Sequence, residues 1–168
     1  MKIVKTILIG LGATIVIDSV LYIAGVFGSP SRGILFVGRW LAYMTKGKYY
    51  HHTIIETPSV VNELIIGQIA HYTIGILFAF LLVAIYGNKW LSKPTLFPTM
   101  IIALITLITP FFILQPALGF GIAFSNRPEQ GQLILKSLII HLAYGFGLYL
   151  SAKTINGIRN ISFQRIKH

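Results

Sequence analysis

Apolar residues run almost unbroken through four stretches of this chain, at about 3–27, 60–86, 96–116 and 133–155. A helix crosses a bilayer core with about 20 mostly apolar residues, so each stretch predicts a membrane-spanning helix. Pro30, Pro58, Pro94 and Pro128 fall in the connections, where a residue lacking a backbone N–H interrupts no helix. Pro110 falls inside the third stretch; it frees a carbonyl about one turn earlier, near Thr106, and predicts a kink. The first stretch reads as a retained helix and not a cleaved signal peptide, because its apolar run exceeds the usual length of about 7–15 residues and Asp18 interrupts it.

The first connection, about 28–59, is too long for a tight turn. Within it Ile34, Val37, Leu41 and Met44 recur at helical spacing around Arg39, with the amphipathic Trp40 and Tyr43 alongside. That pattern predicts a short helix that lies at the interface or re-enters the membrane. The segment 115–123, with Pro116, Gly119 and Gly121, reads either as a re-entrant turn or as a plain apolar loop, and 126–132 should be exposed. The expected fold class is all-α: a polytopic membrane protein of four transmembrane helices with an interfacial or re-entrant helix in the first outer connection, forming one domain over 1–168 with a basic tail at 156–168.

The polar residues inside the apolar stretches are few and regularly placed. Asp18, His71 and His141 each sit on a stripe of small or polar residues four apart: Gly10–Thr14–Asp18, Gly67–His71–Gly75–Ala79 and Ser137–His141–Gly145. Positions four apart share a helix face, and small residues there let helices approach closely, so the stripes aim these side chains at neighbouring helices. At about 1.5 Å rise per residue, Asp18 lies about nine residues from the outer end of its span, His71 about eleven into the second and His141 about eight into the fourth. All three then fall within about two turns of one level, in the outer half of the bilayer. An ionisable group there costs at least about 2.5–3.5 kcal/mol on insertion scales, which marks the trio as a candidate intramembrane site. Arg39, Glu63 and Gln115 lie nearer the surface, as a mouth to that site in which Arg39 and Glu63 pair. His71 with Tyr72 and Gly75 is echoed by His141 with Tyr144 and Gly145; parallel repeats or chance recurrence in glycine-rich helices both account for it.

Composition agrees with the pattern. Hydrophobic residues make up 55% of the chain and charged residues 11%, against about 25% charged in soluble domains. The net charge of +10 comes from Lys and Arg placed mostly between and after the apolar stretches, where they meet lipid headgroups, so nucleic acid is not an expected partner. With no cysteine, disulfides and thiol chemistry are excluded. Lys2, Lys5, Lys89, Lys93, Lys153, Arg159, Arg165 and Lys167 lie on one side of a four-span model; Arg32, Arg39, Lys46, Lys48 and Arg127 lie on the other, with Lys136 at its edge. The excess predicts both termini in the cytoplasm.

Three functional readings compete. In the first, Asp18, His71 and His141 carry a small solute or a proton, since His titrates near neutrality and an adjacent Asp can hold its proton. In the second, the two His ligate a haem iron, or with Asp18 a metal ion; no HxxxH or HExxH spacing supports this, and cofactor and metal ligands stay unassigned. In the third, His51, His52, Glu56 and Glu63 act on lipid headgroups, although no nucleophile–base spacing accompanies them and a solvated loop explains His51 and His52 equally. Beside these stands a structural or accessory subunit whose His residues only pack helices. The first is the expectation carried forward, with the lipid bilayer as partner, no enzymatic activity favoured, and homo-oligomerisation and transport direction left open.

A series of residues carries a resemblance across most of the chain. Gly38, Arg39 and Trp40 lead through His52 and Ile55 to Pro58 and Glu63; His71, Tyr72, Gly75 and Ala79 follow, then Pro94 and Thr95, Pro110 and Phe111. Gln115, Pro116 and Ala117 with Gly119, Gly121 and Ser125 come next, and His141 with Gly145, Gly147, Leu148 and Tyr149 closes the series. In this order they resemble an uncharacterised family of small bacterial integral membrane proteins catalogued as a domain of unknown function. The resemblance implies a four-helix bacterial inner-membrane protein and carries no activity, cofactor or catalytic residue. Gln68 departs from the bulkier aromatic expected at its position, which implies different packing around His71.

Overall fold

The computed structural model describes residues 2–165, with side chains through Ile158. Among these residues the chain is all helix and turn: α1 (Lys2–Val26), α2 (Gly33–Met44), α3 (Glu63–Ser92), α4 (Leu96–Thr106), the one-turn α5 (Gln115–Ala117) and α6 (Gln130–Arg165). Four segments are long and apolar enough to span a membrane: Lys2–Val26, Glu63–Ser92, Leu96–Ala117 and Gln130–Ile158. They fall where the apolar stretches lie, and α2 falls on the short amphipathic pattern. Of the expected basic tail, Arg159 and Arg165 lie outside the described side chains and Lys167 lies outside the described residues. Large apolar side chains including Ile3, Leu8, Ile15, Ile69, Leu77, Phe112, Ile139 and Phe146 are exposed around the bundle, as a lipid-facing surface requires.

The small-residue stripes determine which helices touch. α1 packs along α3 on one side and α6 on the other, α4 packs on α6, and α2 packs on α3. Gly10 of α1 lies against Gly75 and Ile76 of α3, and Gly75 faces Thr14. Gly147 of α6 meets Ala13, while Gly145 meets Thr99 and Ala103 of α4. With no hydrophobic force between helices in lipid, such close backbone approach supplies the dispersion energy that holds them together. Gly67 abuts Ile34 and Gly38 abuts Glu63, so α2 runs antiparallel to the start of α3, standing beside it as a re-entrant helix would.

Two apolar clusters result. The inner one contains Ile9, Ala13, Ile17, Ala79, Leu82, Tyr144 and Leu148. Trp90 and Leu91 join it because α3 breaks at Gly87 (φ 70°, ψ −173°) and the chain beyond folds back under the bundle. Lys5 Nζ and Asn156 Nδ2 both donate to the Leu91 carbonyl, tying α1, α3 and α6 at that end. The outer cluster is Ile54, Leu118, Phe120 and Phe124, built from the two long connections.

The kink expected at Pro110 appears as a wide π-helical turn over Pro110–Leu114 after α4 ends at Thr106. The segment after α5 is a cap, not an isolated loop: His51 N–H donates to the Ala117 carbonyl and Ile54 N–H to that of Leu118. Gly119 takes φ +84° with the His52 backbone against it, so a side chain there would be both strained and obstructed.

At Gly38 or Gly67 an added methyl would run into the backbone of the facing helix, whereas at Gly131 it would meet nothing within 4 Å. Gly38→Ala and Gly67→Ala should each cost about 1–3 kcal/mol. Thermal unfolding in detergent should show their midpoints lowered and that of Gly131→Ala unchanged.

Candidate intramembrane site

Gln68, His71 and Tyr72 occupy one face of α3, since positions three and four apart on a helix are neighbours. All three reach the same carboxylate. Gln68 Nε2 donates to Asp18 Oδ2 at 3.2 Å, Tyr72 Oη to the same oxygen at 2.7 Å, and His71 Nε2 lies 3.1 Å from Asp18 Oδ1. An imidazole N–H at Nε2 complements the carboxylate, and among the described residues no hydrogen bond reaches His71 Nδ1. The Asp18 and His71 side chains are 28% and 21% exposed, half sheltered between α1 and α3. Gln68 thus supplies a third donor to Asp18.

α3 and α6 touch where Tyr144 Oη donates to the Gly75 carbonyl and Phe78 meets the Tyr144 ring edge-on. Beyond that floor they diverge. The space between them, closed at the far end by the outer apolar cluster, is a half-enclosed cavity of about 420 Å³. His71 and His141 both line it, with Thr106, Thr109, Gln115 and Ser137. His141 Nδ1 donates to the Ser137 carbonyl at 2.8 Å, which leaves its Nε2 as the free nitrogen. Asp18 does not line this cavity; it reaches it through His71, and itself borders a shallow neighbouring groove with Tyr22, Ser31 and Gln68. Arg32, Arg127 and Lys136 also line the cavity, a feature that sequence spacing did not disclose because the three come from separate connections and a helix start.

Arg39 and Glu63 pair, as expected, but away from the cavity. Arg39 Nε and Nη2 each reach one Glu63 oxygen at 2.7 Å, and both residues are 8% exposed. Arg39 Nη1 also donates to the carbonyls of Ile54 and Thr57, and Glu63 Oε2 accepts from the Val60 N–H. The hydrogen bonds to Glu63 raise the Arg39 pKa, against the effect of burial. The pair therefore clasps the first connection onto α2 and α3. Gln115 does line the cavity, and its buried Oε1 has no partner. Within the clasp His51 Nδ1 lies 2.9 Å from Thr57 Oγ1, its ring edge-on to Tyr43, while its buried Nε2 has none. Burial, and secondarily the charge of Lys48, holds the His51 pKa below its ordinary value.

Among the described residues no group of three or more His, Cys, Asp or Glu is placed to hold a metal ion. A family model described as protein of unknown function (DUF2938) matches residues 7–155. The chain belongs to this family. The matched region takes in the whole of the DUF2938 chain's clasp, cavity and Asp18 cluster. No curated protein and no solved structure matches the chain.

Arg39→Ala strands a buried carboxylate and should cost about 3–5 kcal/mol, whereas Arg39→Met/Glu63→Met together should cost less than Arg39→Ala alone. Chemical unfolding of the three proteins checks this; a double variant less stable than Arg39→Ala contradicts it. For His51 the unfolded chain binds the proton more readily than the folded one, so stability is full above about pH 6.5 and falls as pH drops below it. The thermal midpoint of the wild type should fall between pH 7.5 and 5.5 by more than that of His51→Gln.

Proposed function

We propose that this is a multi-pass inner-membrane protein with both termini in the cytoplasm, which binds a small solute in the cavity and links its binding or passage to a proton held among Asp18, His71 and His141. The observation that carries this reading is His71: one ring nitrogen faces the Asp18 carboxylate while the residue lines the cavity that His141 also lines. An imidazole between a carboxylate and a cavity can take a proton from an entering group, and Asp18 then stabilises the cation so formed. His141, tied to its own helix backbone, offers a second acceptor nitrogen in the same space.

The orientation follows the cation excess in the sequence, with Lys2, Lys5, Lys89, Lys93, Lys153, Arg159, Arg165 and Lys167 on one side against Arg32, Arg39, Lys46, Lys48 and Arg127 on the other, Lys136 at its edge. On that placement the cavity lies in the outer half of the bundle. The wide turn at Pro110–Leu114 borders it, and π-helical turns of this kind recur at functional sites and hinges.

The test uses proteoliposomes loaded with the pH dye pyranine and challenged with a panel of acetate, benzoate, glycine, choline and glucose. At least one solute should move with a proton, and Asp18→Asn, His71→Gln and His141→Gln should each reduce that movement by about tenfold or more. Variants that keep full uptake and lose only thermal stability would reduce the trio to helix packing.

A further inference from the structure

Three features of the cavity together name a class of occupant. Its walls are mostly aliphatic and aromatic, contributed by side chains such as Phe36, Ile74, Phe120 and Ile140. Its charged lining is of one sign: Arg32, Arg127 and Lys136 border it, and no carboxylate does among the described residues. Lys136 Nζ rests on neutral oxygens of Ser29 and Pro30, Arg32 is exposed, and Arg127 alone has an acidic neighbour, Glu129 at 3.7 Å. The lining stays positive after that one carboxylate is counted. Low-dielectric walls around like charges focus a potential that draws in the opposite sign. The third feature is Gln115, 8% exposed and on the cavity lining, whose buried Oε1 has no hydrogen-bond partner; an amide oxygen accepts only, so it calls for a donor such as water or the hydroxyl of a protonated head. A buried polar group left unmatched by protein calls for a partner from a ligand or water.

Size narrows the class further. At about 30 Å³ per water-sized group, a cavity of about 420 Å³ holds about fourteen such groups. That is room for one hydrocarbon chain of about twelve carbons with a small head.

We infer that the cavity binds a single-chain amphipathic anion, its charged head at Arg32, Arg127 and Lys136 and its hydrocarbon chain among Phe36, Ile74, Phe120 and Ile140. This rests on the reading of the cavity as a binding site and adds the chemistry of what enters it. A carboxylate and a phosphate monoester share the required head chemistry. An acid that arrives protonated would also meet the free Nε2 of His141, beside His71 on the same lining.

The full chain in nanodiscs of zwitterionic phosphatidylcholine, with empty discs as background, provides the test. Radiolabelled dodecanoate is bound and then competed with dodecyl phosphate, dodecanol or dodecylammonium. Dodecanoate should bind saturably, and dodecanol and dodecylammonium should compete at least about tenfold more weakly than unlabelled dodecanoate. Dodecyl phosphate identifies the preferred head by whether it competes better or worse than dodecanoate. Arg32→Gln/Arg127→Gln should weaken dodecanoate binding by about tenfold or more, and Ile140→Trp, which fills the cavity, should abolish it. If dodecanol or dodecylammonium binds as well as the anion, the anionic class is wrong while the cavity remains a binding site. If none of the amphiphiles binds, or Ile140→Trp binds like the wild type, the cavity reading itself fails.

Discussion

A carboxylate placed between two helices in an apolar bundle must find its donors in protein, and Asp18 does so on a single face of α3. That constraint couples most of what surrounds it. Gln68, His71 and Tyr72 can reach Asp18 together because α1 and α3 lie close, and they lie close because Gly10, Thr14 and Gly75 keep the facing stripes thin. A larger residue at Gly75 would meet Thr14 and push the helices apart just below the cluster. In lipid the alternative to these bonds is an unmatched polar group, so contact of the helices and satisfaction of the carboxylate stabilise one another.

The same contact produces the cavity. α1 holds α3 on one side and α6 on the other, so α3 and α6 meet chiefly at Tyr144 and Gly75 and separate beyond them. The wide turn at Pro110–Leu114 carries the third span away from continuous α-helix at the same depth. Above the gap the connections 45–62 and 115–127 form their own small core, fastened by Arg39 and Glu63 on one side and by backbone bonds from His51 and Ile54 on the other. The inner cluster and the outer cap are thus separate packing units with the two histidines between them.

Much of this was legible in the sequence for stated physical reasons. Apolar length placed the four spans, and helical spacing from Ile34 to Met44 placed α2, because both depend on local periodicity alone. Four-residue stripes correctly aimed Asp18 and His71 at each other's helices. What periodicity does not carry is rotation and closure. His141 turns to the Ser137 carbonyl of its own helix, with no acidic partner among the described residues to match Asp18, so the echo between the second and fourth spans stops at the residues and does not extend to their bonding. Arg39 and Glu63 form their pair yet lie outside the cavity lining, since that depends on how the connection 45–62 folds back over α2. Gln68 and Tyr72 were within reach: Gln68 lies three residues before His71 and four before Tyr72, the usual mark of a shared face.

Magnitude bears on whether such a cavity stays empty. An enclosed dry void costs about 24 cal/mol per Å³, and this cavity is half enclosed, so that cost falls on its sheltered part only. The bundle holds its walls apart with features that resist collapse. The Tyr144–Gly75 bond fixes the floor, Lys136 is bonded to the backbone that follows α1, and stacked Phe120 and Phe124 brace the cap. Water relieves the cost only where polar partners exist, and the Ile, Leu and Phe walls offer it few. Walls that are braced apart and mostly apolar are therefore stabilised most by an occupant with apolar surface of its own, and the positive rim restricts which such occupants gain further by entering.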